Sequence, residues 1–311
     1  MKKINLSVIS FLLIFILGFS LMINAQDKEK GNIDWENGVI TVVGFGAPPE
    51  NAPDSVSQLL AKRAAKADAY RNAAEVIKGV QVDSNTEVEN YVVKSDKIST
   101  QVNGFIKNGR FIDVKYNKNN TCRVTLELPM EGQNSLNSFF ENIGQEKNSG
   151  YEKADISNYD TEENKMDKKT ESNEKDKINY STYTGIIIDV RSLNVIPALH
   201  PKIFDNDGYL LYGAGVIEVG NDNYSTIVAY SRSKEKALNM ERVGDNPFVI
   251  EAVSVVKGKN NKATDIVLKN KDAKAFLKIN KANDIINKKA VSFIIKWVLS
   301  FRGSLTPPLK L

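Results

Sequence analysis

Val39-Ile40-Thr41-Val42-Val43, then Gly44-Phe45-Gly46-Ala47-Pro48-Pro49, then an alanine-rich segment opening at Asp54-Ser55 decide how the chain folds. The first five residues are apolar and mostly β-branched, a short run of strand type. Two glycines and two prolines in the next six predict a backbone turn. Asp54 or Ser55 is expected to cap a helix, since Ser55 and Gln58 have capping-box spacing. Within it Val56, Leu60, Ala64, Ala67, Ala74 and Ile77 recur at helical spacing, and Gly79 supplies a C-terminal stop. Ala61, Ala64, Ala65, Ala67, Ala69, Ala73 and Ala74 keep the helix slim enough to lie close on a sheet. On this phase Ala64, Ala67 and Ala74 face the sheet and Ala61 faces solvent.

Beyond Gly79 the pattern predicts extended segments from Val80 to Val93 and a short amphipathic helix near Ile98, Val102 and Phe105. Arg110 to Tyr116 and Thr121 to Leu128 then form a hairpin around Asn117-Lys118-Asn119-Asn120. One strand, a long helix and a meander make the first block, residues 35–142, a two-layer helix-on-sheet α/β (α+β) sandwich. A second small α/β domain follows over residues 183–296. Its expected elements are a buried strand at Gly185 to Val190 and a hairpin turning at Asp205-Asn206-Asp207-Gly208 between Lys202–Phe204 and Tyr209–Tyr212. A short helix at Ser233 to Met240, strands at Phe248 to Val256 and Thr264 to Leu268, a helix from Asp272 to Ile286 and a strand at Ala290 to Ile295 complete it. Residues 144–180 join the blocks. They are crowded with Glu, Lys, Asp, Asn and Ser and read as a disordered polar linker, with an exposed charged helix as the alternative.

The 311 residues suit two domains. Their net charge of +4 falls to +2 without Lys2 and Lys3, which excludes nucleic-acid binding by bulk charge. One cysteine excludes an intrachain disulfide framework and a cysteine-rich zinc site, and one histidine leaves little room for His-based chemistry. No cofactor or metal is expected. Lys2-Lys3, an apolar core from Val8 to Ile23 and the small residue Ala25 read as a secretory leader cleaved between Ala25 and Gln26. The expected location is therefore outside the cytoplasm, in the periplasm or at the cell surface. A membrane partner is expected only if the leader stays uncleaved.

Other features that invite a chemical reading have simpler accounts. Gly44-Phe45-Gly46 has Pro49 where a dinucleotide loop needs its third small residue. Asp205-Asn206-Asp207-Gly208 lacks the remaining ligands of a calcium loop and reads as a hairpin turn. Cys122 alternates with Val124 and Leu126, so it belongs on a buried face. His200 sits in a loop between Pro197 and Pro201 with no nucleophile motif to partner it. Lys62, Arg63, Lys66 and Arg71 stud the long helix as a solvated face, since the opposite face is too weakly apolar for membrane insertion.

Several stretches resemble the lipoprotein family typified by the small Helicobacter surface antigen LPP-twenty, and its relatives the flagellar assembly T proteins. They are Gly44 to Pro49, Ala61 to Glu75, Lys78 to Ser84, Val102-Asn103-Gly104-Phe105-Ile106 and Cys122 to Pro129. Parts of the second block, among them Tyr183 to Asp189, Pro197-Ala198-Leu199 and Val243 to Pro247, are similar to the C-terminal region of longer exported members. The resemblance implies a cell-envelope protein without catalysis, partnered by an envelope or flagellar protein. This chain departs from it in lacking a lipobox cysteine, so no lipid anchor is expected. It also implies that the tail Trp297 to Leu311 is atypical, of the kind a read-through or frameshift adds. A second reading is a binding module for a small ligand or wall polymer, which would gather Trp35, Tyr209, Tyr212 and Tyr224 in one groove. A hydrolase is disfavoured, because no nucleophile–base pair is visible.

Overall fold

The computed structural model describes residues 30–132, 135–140, 150–159, 178–218, 224, 226–258 and 261–296. Met1–Lys30 is a unit by itself, and Gly31–Leu311 is a second compact unit. The expected cleavage site at Ala25 and Gln26 and the tail from Trp297 lie outside the described residues.

Four antiparallel strands open the larger unit: β1 (Gly31–Asp34), β2 (Val39–Gly46), β5 (Arg110–Tyr116) and β6 (Cys122–Pro129), in the order β1-β2-β6-β5. Helix α1 (Asp54–Lys78) packs on this first sheet, as the helix-on-sheet expectation has it. Two details differ. Gly44 and Gly46 do not turn the chain; they continue β2, paired with Val124 and Cys122. And α1 presents a different stripe, because Ala61, Ala65, Ala69 and Ala73 are fully buried while Ala64 and Ala67 are exposed.

One cause explains both. A Cβ on Gly44 would stand 2.3 Å from the Ala65 carbonyl oxygen and 2.4 Å from the Ala69 nitrogen. One on Gly46 would stand 2.3 Å from both the Ala61 carbonyl oxygen and the Ala65 nitrogen. Helix backbone therefore touches strand backbone, and only glycine on one side and alanine on the other allow it. Alanine lies on every side of α1, so apolar spacing alone leaves its phase undetermined; the β2 glycines select the stripe.

The helix also finishes the edge of β2. Pairing with β1 stops at Val42. Beyond it, Asn72 Nδ2 donates to the Val43 carbonyl (2.9 Å) and the Phe45 amide donates to Asp68 Oδ2 (2.9 Å). Two helix side chains thus stand where a further strand would pair. The capping box expected at Ser55 does not form. Pro53 precedes the helix without a side-chain cap, and Ser57 bonds back to the Pro53 carbonyl.

From Val80 to Val93 the chain is not extended throughout. Short strands β3 (Gln81–Asp83) and β4 (Thr86–Glu87) give way to α2 (Val88–Lys94), where Glu87 and Asn90 cap reciprocally and Val88 and Tyr91 are buried. This local capping outweighs the β-branched composition. Helix α3 (Asp96–Lys107) follows where expected, capped by Ser95.

The second block holds two more sheets. A parallel sheet has the order β10 (Ala229–Ser231), β14 (Val291–Ile294), β7 (Gly185–Asp189), β11 (Pro247–Glu251). A mixed sheet has the order β12 (Ser254–Lys257), β13 (Ala263–Leu268), β8 (Ile203–Asp205), β9 (Leu210–Tyr212). Helices α4 (Lys234–Leu238) and α5 (Asn270–Asn283) complete it. Phe248 to Val256 is two strands rather than one. The Ala252 amide bonds to Asp189 in the parallel sheet, and the next amide, of Val253, bonds to Val267 in the mixed one.

Within the stretch expected to be disordered, residues 150–159 are described and dock on the second block. The Ala154 amide donates to the Leu210 carbonyl (2.9 Å), the Leu210 amide donates to the Glu152 carbonyl (2.8 Å), and buried Tyr159 donates its hydroxyl to Asp205 Oδ2 (2.5 Å). Two tyrosines, Tyr151 and Tyr159, supply anchoring that the polar composition conceals. Residues 160–177 lie outside the described residues.

Gly44→Ala and Ala61→Leu should each cost about 1–3 kcal/mol in urea denaturation of the full chain, the usual range for overpacking. Ala67→Leu should stay within about 0.5 kcal/mol, as exposed substitutions do. The reverse order would refute the helix phase seen here.

Candidate functional site

The buried polar groups concentrate where the β3–β4 hairpin meets the second block. Leu199 and His200 donate their amides to the Gln81 and Val82 carbonyls (2.9 and 2.7 Å), so two successive amides of a bent segment are bound to β3. Gly258, just after β12, also abuts the hairpin. A Cβ on Gly258 would lie 1.5 Å from the Ser84 carbonyl oxygen. Lys262 Nζ reaches Glu87 Oε1 at 2.5 Å across the same seam.

Inside this junction Asp83, Ser84, Thr86, His200, Lys202, Thr264 and Asp265 are all buried. Asp265 projects from a strand otherwise made of small and apolar residues. Its Oδ1 accepts from the Lys202 amide (3.0 Å) and the Thr264 hydroxyl (2.9 Å), and its Oδ2 lies 3.8 Å from Lys202 Nζ. Burial raises its carboxyl above the usual range, against the opposing pull of Lys202, Ser84 and Thr264. Tyr91, at the edge of the cluster, is pushed up to about 12 by burial and by the charge of Asp83.

His200 is placed differently from its neighbours. It is 2% exposed, and neither Nδ1 nor Nε2 has a hydrogen-bond partner among the described residues. Burial holds the imidazole down at about 4; Asp83 opposes this, while Lys202 and Lys289 reinforce it. The ring is therefore neutral at neutral pH and bonded to no hydroxyl or thiol. Cys122 lies elsewhere, on β6 against α1, with its thiol raised by burial. The arrangement can take up a proton, but it lacks the nucleophile–base bond of an acyl-transfer site.

Two further sets of ions join the blocks. Glu36 accepts from the Arg232 amide (3.0 Å) and from Lys236 Nζ (2.9 Å). Arg242 donates to the Thr226 carbonyl (3.0 Å) and to Glu131 (3.3 Å), with its guanidinium 4.1 Å above the Tyr224 ring. The four aromatic residues of the ligand-binding reading make no ring contact with one another among the described residues, although Tyr212 and Tyr224 both lie near Arg242. Trp35 packs edge-on against Tyr230 (5.5 Å), Tyr212 against Phe276 (6.2 Å), Tyr224 beneath Arg242, and Tyr209 in the Asp205 hairpin. That turn forms as expected, with Asp205 Oδ1 accepting from Asp207 and Tyr209 and Gly208 at φ 91°. Of the basic residues on α1, Arg71 pairs with Asp68 (3.1 Å) and Lys66 lies 4.5 Å over Phe111.

Sequence reading singled out His200 and Cys122 and missed Asp83, Lys202 and Asp265. One available signal was Asp265, a lone acid within Ala263 to Leu268. Its partner Lys202 stands far off in sequence, and no local spacing announces it.

Residues 185–297 match the family model described as Treponema pallidum Tp0624, second domain. The match starts at the first residue of β7 and ends just past β14, so it covers less than half the chain and coincides with the second block. His200, Lys202 and Asp265 lie inside it and Asp83 outside. No curated protein matches the chain.

Removing one member of the buried pair leaves the other charge uncompensated. Lys202→Met should cost about 3 kcal/mol at neutral pH. Lys202→Met combined with Asp265→Leu should recover most of that loss. A double-mutant cycle by chemical denaturation reads the coupling, and strict additivity would show that the pair does not interact.

Proposed function

We propose that this chain is a non-enzymatic, exported cell-envelope protein that works through protein–protein contacts. The β5 edge of the first sheet carries this reading. Among the described residues β5 pairs only with β6, and along it Ile112 (48%) and Tyr116 (39%) are exposed. An unpaired strand edge is a template for pairing with another chain. Arg110, Lys115 and a bulge between Phe111 and Asp113 guard it against indiscriminate association.

Three other features support the same reading. The Lys2-Lys3 leader with its apolar core has the form of an export signal. The first block resembles the LPP-twenty family, whose members serve in envelopes and flagellar assembly. Glu36, Glu131, Arg242, Lys202 and Asp265 are engaged in internal contacts that hold segments together.

Two measurements test the proposal. The intact mass of exported protein should correspond to a chain starting at Gln26. A photo-crosslinking residue placed at Ile112 or Tyr116 in cells should give a discrete adduct with another envelope protein. A crosslinker at Val93, exposed on α2, serves as the control. Adducts of equal yield at all three positions, or none at the β5 positions, would sink the reading.

A further inference from the structure

We propose that the junction around His200 is an acid-operated latch, closed near neutral pH, that holds the β3–β4 hairpin against the second block. Its geometry is that of a fastening. The two amides at Leu199 and His200 stitch one segment to β3, and Gly258 presses on Ser84 of the same hairpin. The buried imidazole has no acceptor among the described residues for either N–H, so a charged ring with two donors is costly in the closed junction and is relieved by opening.

The charged groups that act on it come from different elements: Asp83 from β3, Lys202 from the same segment and Lys289 from the loop before β14. Tyr91 on α2 interacts in turn with Asp83 and Lys202, Asp265 on β13 interacts with Lys202, and Glu87 of the hairpin pairs with Lys262. Asp83 favours an imidazolium. Lys202 and Lys289 oppose one, and burial outweighs Asp83.

The direction of the response follows from linkage. His200 titrates at about 4 in the closed junction and returns toward 6.5 when released. Between those values the open form binds a proton that the closed form does not, so acidification favours opening. From pH 7.5 to pH 5 the imidazole alone raises the opening equilibrium about 30-fold. Asp265 acts in the other sense, because its raised carboxyl takes up a proton in the closed form first.

Hydrogen exchange on the full chain separates these effects. In the wild type the Leu199 and His200 amides should lose protection between pH 7.5 and pH 5, after correction for intrinsic exchange. In His200→Phe, which fills the site without a titrating group, the loss should be about 30-fold smaller. Amides of Ile186 and Ile188 on β7 should stay protected in both proteins. Equal losses in the two proteins would overturn the latch, and so would loss at β7 in step with Leu199, which means global unfolding. His200 is the sole histidine, so its imidazole resonance gives a readout on the unmodified protein. A titration midpoint well below 6.5 supports the closed, buried ring. A midpoint at the ordinary value with unchanged exchange overturns the proposal.

Discussion

Backbone-to-backbone contact between α1 and β2 is the constraint on which the first block rests. A helix usually meets a sheet through side chains that keep the backbones apart. Here Gly44 and Gly46 contribute no side chain, and Ala61, Ala65 and Ala69 contribute one methyl each. The close approach fixes the helix phase and brings Asp68 and Asn72 within reach of the β2 edge. It also aligns the fully buried side chains of Ile40, Val42, Val124, Leu126 and Leu128 beneath the helix. Sterics, rather than apolar area, set this interface.

Much of that was legible in the chain and some was not. The hairpin at Asn117 to Asn120, the turn at Asp205 to Gly208 and the buried strand at Gly185 each carry strong local chemistry and emerge where expected. The glycines read in the sequence as turn formers. Their use in a strand depends on what lies above it, and no local rule reports that. The helix phase failed for a related reason, since alanine contributes too little hydrophobic signal to orient a helix. Strand β1 preceding Trp35, Gly31-Asn32-Ile33-Asp34, alternates too weakly to announce itself.

The candidate site was less legible still. Asp83, His200, Lys202 and Asp265 come from three distant parts of the chain and gain meaning only when β13 and residues 199–200 converge on β3. Burial then changes their character. A lone histidine in a proline-flanked loop carries no local sign of burial, and it lies 2% exposed in a seam between blocks. The prolines are consistent with that placement, because Pro197 and Pro201 confine the backbone of the segment bound to β3.

The hand-over at Ala252 and Val253 makes one ribbon of chain a member of two sheets. Successive amides there face different neighbours, so a one-residue insertion or deletion would put β11 or β12 out of register with its partner and turn its side chains to the wrong face. The parallel and mixed sheets are therefore yoked. A cut between them would sever partners on both sides, and the 185–297 match takes in both sheets whole.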